Sequence, residues 1–254
     1  MKIAVAYKWA PNPQDATVAG DGTVDWSRAK ASVSEYDQVA VEVGRRLADA
    51  TGAELVGVTI GAADVGSTMA RKAALSRGLD RLVLVGDDQL AGAGATRTAT
   101  VLAQVVDLVG DVDVVLTGDS SQDLGAQLVP AVLAATLGWP VLTNVTSVVG
   151  TAGDLTVERV QEGGTQTLHV TGPVVLAVSG DAAVPRVPGM KDILAAGKRP
   201  TDVVDVPAPA PEPITVVSSG PPVLKARKRQ VIDGADPAAA AAVLVAALRA
   251  DNVL

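Results

Sequence analysis

VDVVLTGDSSQDLGAQLVPAVLAATLGWP, residues 112–140, is the stretch whose reading decides the fold. Residues 112–117 form a β-branched apolar run that predicts a buried strand, and the run ends on Gly118. Ten small, polar or flexible residues follow, from Gly118 to Gln127. Leu128, Val132, Leu133 and Leu137 then recur at helical spacing until Gly138-Trp139-Pro140 stops the pattern. A loop of this kind at the carboxyl end of a strand presents free backbone N–H groups at a helix N-terminus. Such a terminus suits an anion, most often a phosphate. Small residues are equally ordinary in turns, so the loop alone leaves a plain strand-to-helix connection open.

Outward from this stretch, the first two hundred residues alternate strands and helices. Strand-like runs occupy residues 3–7, 54–60 and 81–85. The clearest helix covers residues 35–50, where Tyr36, Val39, Ala40, Val43 and Leu47 share one face, with Ser34 as N-cap and Gly52 as stop. A weaker helix spans residues 65–77 and is closed by Gly78; a third runs over residues 95–109. Alternating βαβ units predict a parallel sheet covered by helices on both faces. From 141 to 178 the pattern changes to four successive β-rich runs, with Glu162-Gly163-Gly164 as a hairpin turn. These runs form either an antiparallel edge of the same sheet or a small flanking sheet. The expectation is therefore an α/β, three-layer αβα core over residues 1–200, mostly parallel, with an antiparallel β-hairpin segment.

Residues 201–254 read as an extended C-terminal arm. Alternate prolines between Pro207 and Pro213 forbid helix and sheet pairing, and a β-prone run follows at 214–218. The chain then reaches a helix over 237–250, rich in Ala, Val and Leu, capped by Asp236 with Pro237 in first position. Its apolar face must bury against this chain's own core or against a partner.

Composition narrows the chemistry. The chain has 254 residues, 48% hydrophobic and only 2% aromatic, with no Phe and no Cys. The absence of cysteine excludes disulfides, thiolate metal sites and cysteine nucleophiles. The single His169 excludes a histidine-rich metal site, and its alternation with Thr165, Thr167 and Thr171 marks a surface strand residue. A net charge of −7 argues against a nucleic-acid surface, and the short basic run at 225–229 does not change that. No apolar run approaches the ~20 residues that span a bilayer, and no signal peptide precedes the first strand, so a cytoplasmic location without membrane insertion is expected. Gly92-Ala93-Gly94 lacks the third glycine of a dinucleotide fingerprint and reads as a loop. Asp119 and Asp123 flank the 118–127 loop, but two carboxylates without a third ligand make no metal site. With no nucleophile–base pair in view, the residues point to a binding or carrier role rather than to an enzyme.

Three stretches resemble the β subunit of electron transfer flavoproteins. KIAVAYK (residues 2–8) is similar to that family's VAxK opening, and residues 118–140 look like its nucleotide loop, helix and terminal GWP. VERVQEGGTQTLHVTGPVVLAV (residues 157–178) matches its signature, followed by Pro185-Arg186 and by MKDILAAGKRP at 190–200. The resemblance implies a heterodimer whose α subunit holds FAD while the β subunit holds AMP and helps to enclose the flavin. Some relatives carry a second FAD in place of AMP. By position, it implies nucleotide contacts at Ala6, Ser34, Ile60, Ser121, Asp123, Gly125, Ala126, Gln127, Leu128 and Val129, with Pro13 and Tyr36 near the flavin ring. Ser34 stands where the family usually has Asn, and Leu124 where an acidic residue is common, which shifts binding toward the backbone. Asp123 is expected to turn outward or to cap the following helix. Met190 falls at the anchor that docks flavin dehydrogenases such as acyl-CoA dehydrogenase. Electrons would pass on to a membrane quinone oxidoreductase. Two alternatives stand beside this reading: a stand-alone adenine-nucleotide sensor, and the FAD-binding subunit of a bifurcating complex.

Overall fold

The computed structural model describes residues 1–207, 209, 210, 217, 220, 223 and 226–254. Most of the proline-spaced segment, nearly all of the β-prone run at 214–218, and Lys225 lie outside the described residues.

In chain order, the first half contains β1 (Lys2–Ala6), β2 (Trp9–Pro11), β3 (Thr17–Val18), β4 (Val24–Asp25), β5 (Ala31–Val33) and α1 (Glu35–Thr51). It continues through β6 (Glu54–Gly61), α2 (Thr68–Leu75), β7 (Arg81–Gly86), α3 (Ala95–Val109) and β8 (Val114–Gly118). The second half contains α4 (Val129–Leu137), β9 (Val141–Thr151), β10 (Asp154–Gln161), β11 (Gly164–Val170), β12 (Val174–Val178), α5 (Met190–Ala196), β13 (Thr201–Val203) and α6 (Pro237–Ala250).

Among the described residues, nine strands form one sheet in the order β11-β10-β9-β12-β8-β1-β6-β7-β13. The seven strands from β9 to β13 in that order run parallel, and β10 and β11 add to β9 in antiparallel fashion. The hairpin thus extends the main sheet instead of forming a separate one. Leu155 and Val157 of β10 join the core, while β11 is the outer edge and carries exposed His169, whose Nε2 lies 2.6 Å from Asp154 Oδ1.

Strand alternation builds the three layers. Ile3 and Val5 of β1, with Val114 and Leu116 of β8, face one apolar cluster that includes Val39, Val43 and Leu47 of α1. Ala4, Ala6 and Val115 face the other, with Leu102, Val105 and Val106 of α3 and Leu133 of α4. Apolar surface is removed from water on both faces, as a parallel sheet requires.

Helix ends follow local chemistry. α1 stops at Gly52 in the left-handed conformation, φ 69°, and α6 starts where Asp236 Oδ1 accepts from Ala238 N at 3.0 Å and Ala239 N at 3.3 Å. The helix expected over 65–77 is shorter. A 3-10 turn takes Ala63–Gly66, and α2 begins only after Ser67, whose hydroxyl caps Ala70 N at 3.2 Å. The chain falls into two compact units, Met1–Val217 and Ser218–Leu254. Thr201–Val203 pairs with β7 and so belongs to the sheet of the first unit. Among the described residues no helix is long and apolar enough to cross a membrane.

Candidate functional site

The connections leave β1 toward β6 and β7 on one side, and α3 then returns the chain to β8 on the other side of β1. The gap between the carboxyl ends of β1 and β8 is a topological switch point, where open α/β sheets hold their ligands. A cavity of about 560 Å³ opens there. Ala6, Ile60 and Thr117 form its floor at the strand ends, and Ser121 and Ala126 to Pro130 form one wall. Leu90 to Ala95 with Thr98 line the cavity as well, and Tyr7, Trp9 and Trp26 also border the space.

The glycine that ends β8 permits the close approach of α1. A Cβ at Gly118 would lie 2.7 Å from Tyr36 Cβ and 2.8 Å from Asp37 Oδ1. In its absence, the Asp37 carboxylate accepts from Gly118 N at 3.0 Å and from Lys8 N at 2.8 Å. One buried side chain therefore ties together the ends of the two strands that frame the cavity. Burial pushes the Asp37 carboxyl up to about 7, against the pull of those two N–H groups and of the Lys8 ammonium. Burial, and then the neighbouring Asp37 charge, push the Tyr7 phenol above its ordinary range.

The loop beyond β8 is held from behind. Gln122 Nε2 donates to Ala10 O at 3.0 Å, Pro11 O at 3.2 Å and Ser32 Oγ at 3.2 Å, while its Oε1 accepts from Glu35 N at 3.2 Å. Ser34 is fully buried and offers no side-chain cap to α1. It occupies the N-cap position of α1, as its sequence reading has it, and its carbonyl accepts from Gln38 N at 3.0 Å, while its hydroxyl accepts from Gln122 N at 3.4 Å. Asp123 neither turns outward nor caps α4. Its Oδ2 meets Lys8 Nζ at 2.6 Å and its Oδ1 accepts from Leu124 N at 2.8 Å. Burial alone would raise this carboxyl, but the bond from Lys8, with Ser121 and Leu124, holds it below its usual range. The physical reason is the nearby ammonium: a half-buried cation next to the loop outweighs a distant helix terminus.

Gly125 and Gln127 both adopt positive φ, +59° and +56°. Space around a Cβ at Gly125 is ordinary, with nothing nearer than Ser120 Oγ at 3.6 Å. The glycine serves the turn, and the cavity wall takes in its neighbours Leu124 and Ala126 rather than Gly125 itself. α4 begins at Val129 after Leu128, which provides no side-chain cap, and Pro130 follows. α3 likewise starts after Gly94 without a side-chain cap. Both uncapped N-termini border the same cavity, so two partial positive ends converge on it.

Ala6, Ile60, Ser121, Asp123, Ala126, Gln127, Leu128 and Val129 are thus brought together, whereas Ser34, Gly125, Pro13 and Tyr36 lie off the cavity wall. Pro13 is exposed in a 3-10 turn, and Tyr36 sits in the first turn of α1 beside Gly118 and Gly180. Met190 opens α5 and is 74% exposed, with Val184, Val187 and Leu194 also exposed around it. Sequence reasoning missed Asp37, Gln122 and Thr117. It also set aside Gly92-Ala93-Gly94, a loop as expected but one that lines the cavity. One usable signal was the rarity of aromatics: of five Trp and Tyr residues, Tyr7, Trp9 and Trp26 border this space. Among the described residues no group of three or more His, Cys, Asp or Glu converges to hold a metal ion.

In comparison with known proteins, residues 21–209 match the family described as "Electron transfer flavoprotein domain". The match spans well over half of the chain and includes most of the cavity wall.

Proposed function

The chain belongs to the electron transfer flavoprotein domain family, and from that premise we propose that it is the β subunit of a heterodimeric carrier. The family's members are electron carriers rather than enzymes. The carrying observation is the cavity at the β1–β8 switch point, bordered by the 118–128 loop and two uncapped helix N-termini.

The residues present fit an adenine nucleotide, and AMP is the ligand we assign. Backbone N–H groups at the start of α4 suit its phosphate. Small, apolar Ala6 and Ile60 suit the flat face of a base. The hydroxyl of Thr117, buried without a partner, awaits a polar group. FAD, shared with the α subunit, supplies the redox chemistry when bound. This chain's residues bind, orient and shield: Lys8 and Asp123 pair across the loop, and Gln122 keeps the loop against β2 and β5. Pro13 and Tyr36, off the cavity, are assigned to the face turned toward the α-subunit FAD.

The remaining surfaces divide by role. Residues 201–254 are assigned as the arm that clasps the α subunit, on the strength of the proline-spaced segment and the Ala/Val/Leu composition of α6. Met190, exposed amid apolar neighbours, is assigned as the anchor for flavin dehydrogenases such as acyl-CoA dehydrogenase. A membrane quinone oxidoreductase would receive the electrons. A second reading, FAD in place of AMP in this cavity, is favoured by the partly exposed Trp9 and Trp26 on its border, an aromatic surrounding suited to a second ring.

The test is to purify the chain with its α subunit, denature it, and identify the released ligands by mass spectrometry and flavin absorption. One AMP and one FAD per heterodimer is the expected result. Two FAD and no AMP would select the second reading, and no adenine nucleotide beyond a single FAD would refute both.

A further inference from the structure

β8 ends with two side-chain oxygens that have no partner, both on residues of the cavity wall. Thr117 is 4% exposed and its Oγ1 makes no hydrogen bond; Asp119, two residues on, has a buried Oδ1 in the same condition. The backbone between them is already committed. Gly118 N goes to Asp37 Oδ1 at 3.0 Å, and Asp119 N goes to Val178 O at 3.0 Å. The fold satisfies a comparable hydroxyl elsewhere: Thr59 of β6, also fully buried, donates to Tyr7 O at 2.7 Å. Buried polar atoms are nearly always paired, so two orphans side by side on a cavity wall call for a ligand that meets them.

Their chemistry selects that ligand's group. A carboxylate accepts only, and a threonine hydroxyl both donates and accepts. Asp119 also lies close enough to Asp181 to feel its charge, so this corner is negative. It repels phosphate, which instead finds the uncapped N-termini of α3 and α4 elsewhere on the cavity. A neutral group with adjacent hydroxyls satisfies both oxygens: one hydroxyl donates to the carboxylate and the other exchanges a bond with Thr117. We propose that Thr117 and Asp119 form a sugar-hydroxyl subsite, which takes the ribose diol of the nucleotide held in this cavity. The proposal rests on the adenine-nucleotide reading above and adds which wall reads which part of the ligand.

Calorimetric titration of the full-length, nucleotide-free chain with AMP, 2′-deoxy-AMP and 3′-deoxy-AMP tests it. Wild type is expected to bind AMP about ten- to a hundredfold more tightly than at least one deoxy analogue, the range for a hydrogen bond to a buried polar or charged group. Thr117→Val and Asp119→Ala should lose that discrimination, and Thr117→Ser should keep it. Thr117→Val should also melt no lower than wild type without ligand, because it removes an orphaned hydroxyl at equal volume. Equal binding of all three nucleotides by wild type, or full discrimination retained in both Thr117→Val and Asp119→Ala, overturns the ribose assignment alone. A wild-type chain that binds none of the three overturns the AMP reading and this subsite with it.

Discussion

Replacing Gly118 by alanine attacks the point where α1 meets the end of β8. The new Cβ would stand 2.7 Å from Tyr36 Cβ and 2.8 Å from both the Tyr36 carbonyl carbon and Asp37 Oδ1. Carbon contacts are comfortable from ~3.5 Å, so α1 must retreat by roughly 0.8 Å. The obstacles lie at or next to backbone and cannot swing aside. Overpacking of this kind costs ~1–3 kcal/mol. The retreat also stretches the 3.0 Å bond from Gly118 N to Asp37 Oδ1, a bond worth ~1.5–3 kcal/mol when its acceptor is charged. The sum, about 2.5–6 kcal/mol, is a large share of a typical domain's stability. Urea unfolding followed by far-UV circular dichroism reads it directly. Gly44→Ala is the comparison, because its Cβ meets only side-chain tips, Leu55 Cδ1 at 2.8 Å and Leu116 Cδ1 at 3.0 Å, and alanine gains helix propensity of about 1 kcal/mol. Gly118→Ala should be the more damaging and should also lower nucleotide content. A loss below about 1 kcal/mol, or one no greater than that of Gly44→Ala, would refute the close-approach argument.

Further expectations follow from individual residues. The Asp37 carboxyl rises in the folded state from 3.8 to about 7, so the folded chain holds a proton that the unfolded chain releases. Stability through this group is therefore present below about pH 4 and falls by up to about 4 kcal/mol as pH rises toward 7. Asp37→Asn should flatten that slope in urea titrations at pH 4.5 and 7.5, and an unchanged slope would count against it. Gln122→Ala should cost about 1–3 kcal/mol and speed amide exchange across 119–128; unaltered exchange there would show that other contacts hold the loop. Gly125→Ala should lose about 1–2 kcal/mol to its left-handed backbone and yet keep its nucleotide, as mass spectrometry of the released ligand would show. Met190→Ala should slow transfer from a dehydrogenase about thirtyfold at limiting concentration, the effect of losing an interface anchor of ~2 kcal/mol. Its ligand content should be unchanged, and wild-type rates would move the docking surface elsewhere.

Much of the architecture was legible because it depends on neighbours in sequence. The spacing of Tyr36, Val39, Val43 and Leu47, with Gly52 behind them, anticipates α1 at Glu35–Thr51. Residues 95–109 and 237–250 match α3 and α6 residue for residue. Where a local signal was ambiguous the expectation slipped, as in the 65–77 segment, where Ser67 competes for the first turn of α2. The 118–127 loop was recognisable as a loop, but the settings of Gly125 and Asp123 were not. Gly125 answers to its φ, and Asp123 answers to Lys8, which lies 115 positions earlier in the chain.

Periodicity, caps and turn residues act within about one helical turn or one hairpin, so the chain alone determined most of the longer helices and strands and that the sheet is mostly parallel, but not the short elements β2–β5, α5 and β13. Strand order is another matter. That β8 lies beside β1, opposite β6, follows from how two apolar faces are best covered, and this placement creates the crevice. The same long-range packing brings Asp37 to Gly118 across 81 residues, Gln122 to Ala10 across 112, and Leu90 to Ala95 to the cavity that the start of α4 also lines. Thr117 looks like any strand threonine until the neighbouring elements close around it and leave its hydroxyl without a partner. Tertiary structure alone decided these features, because burial and pairing of a side chain depend on what the rest of the chain places against it.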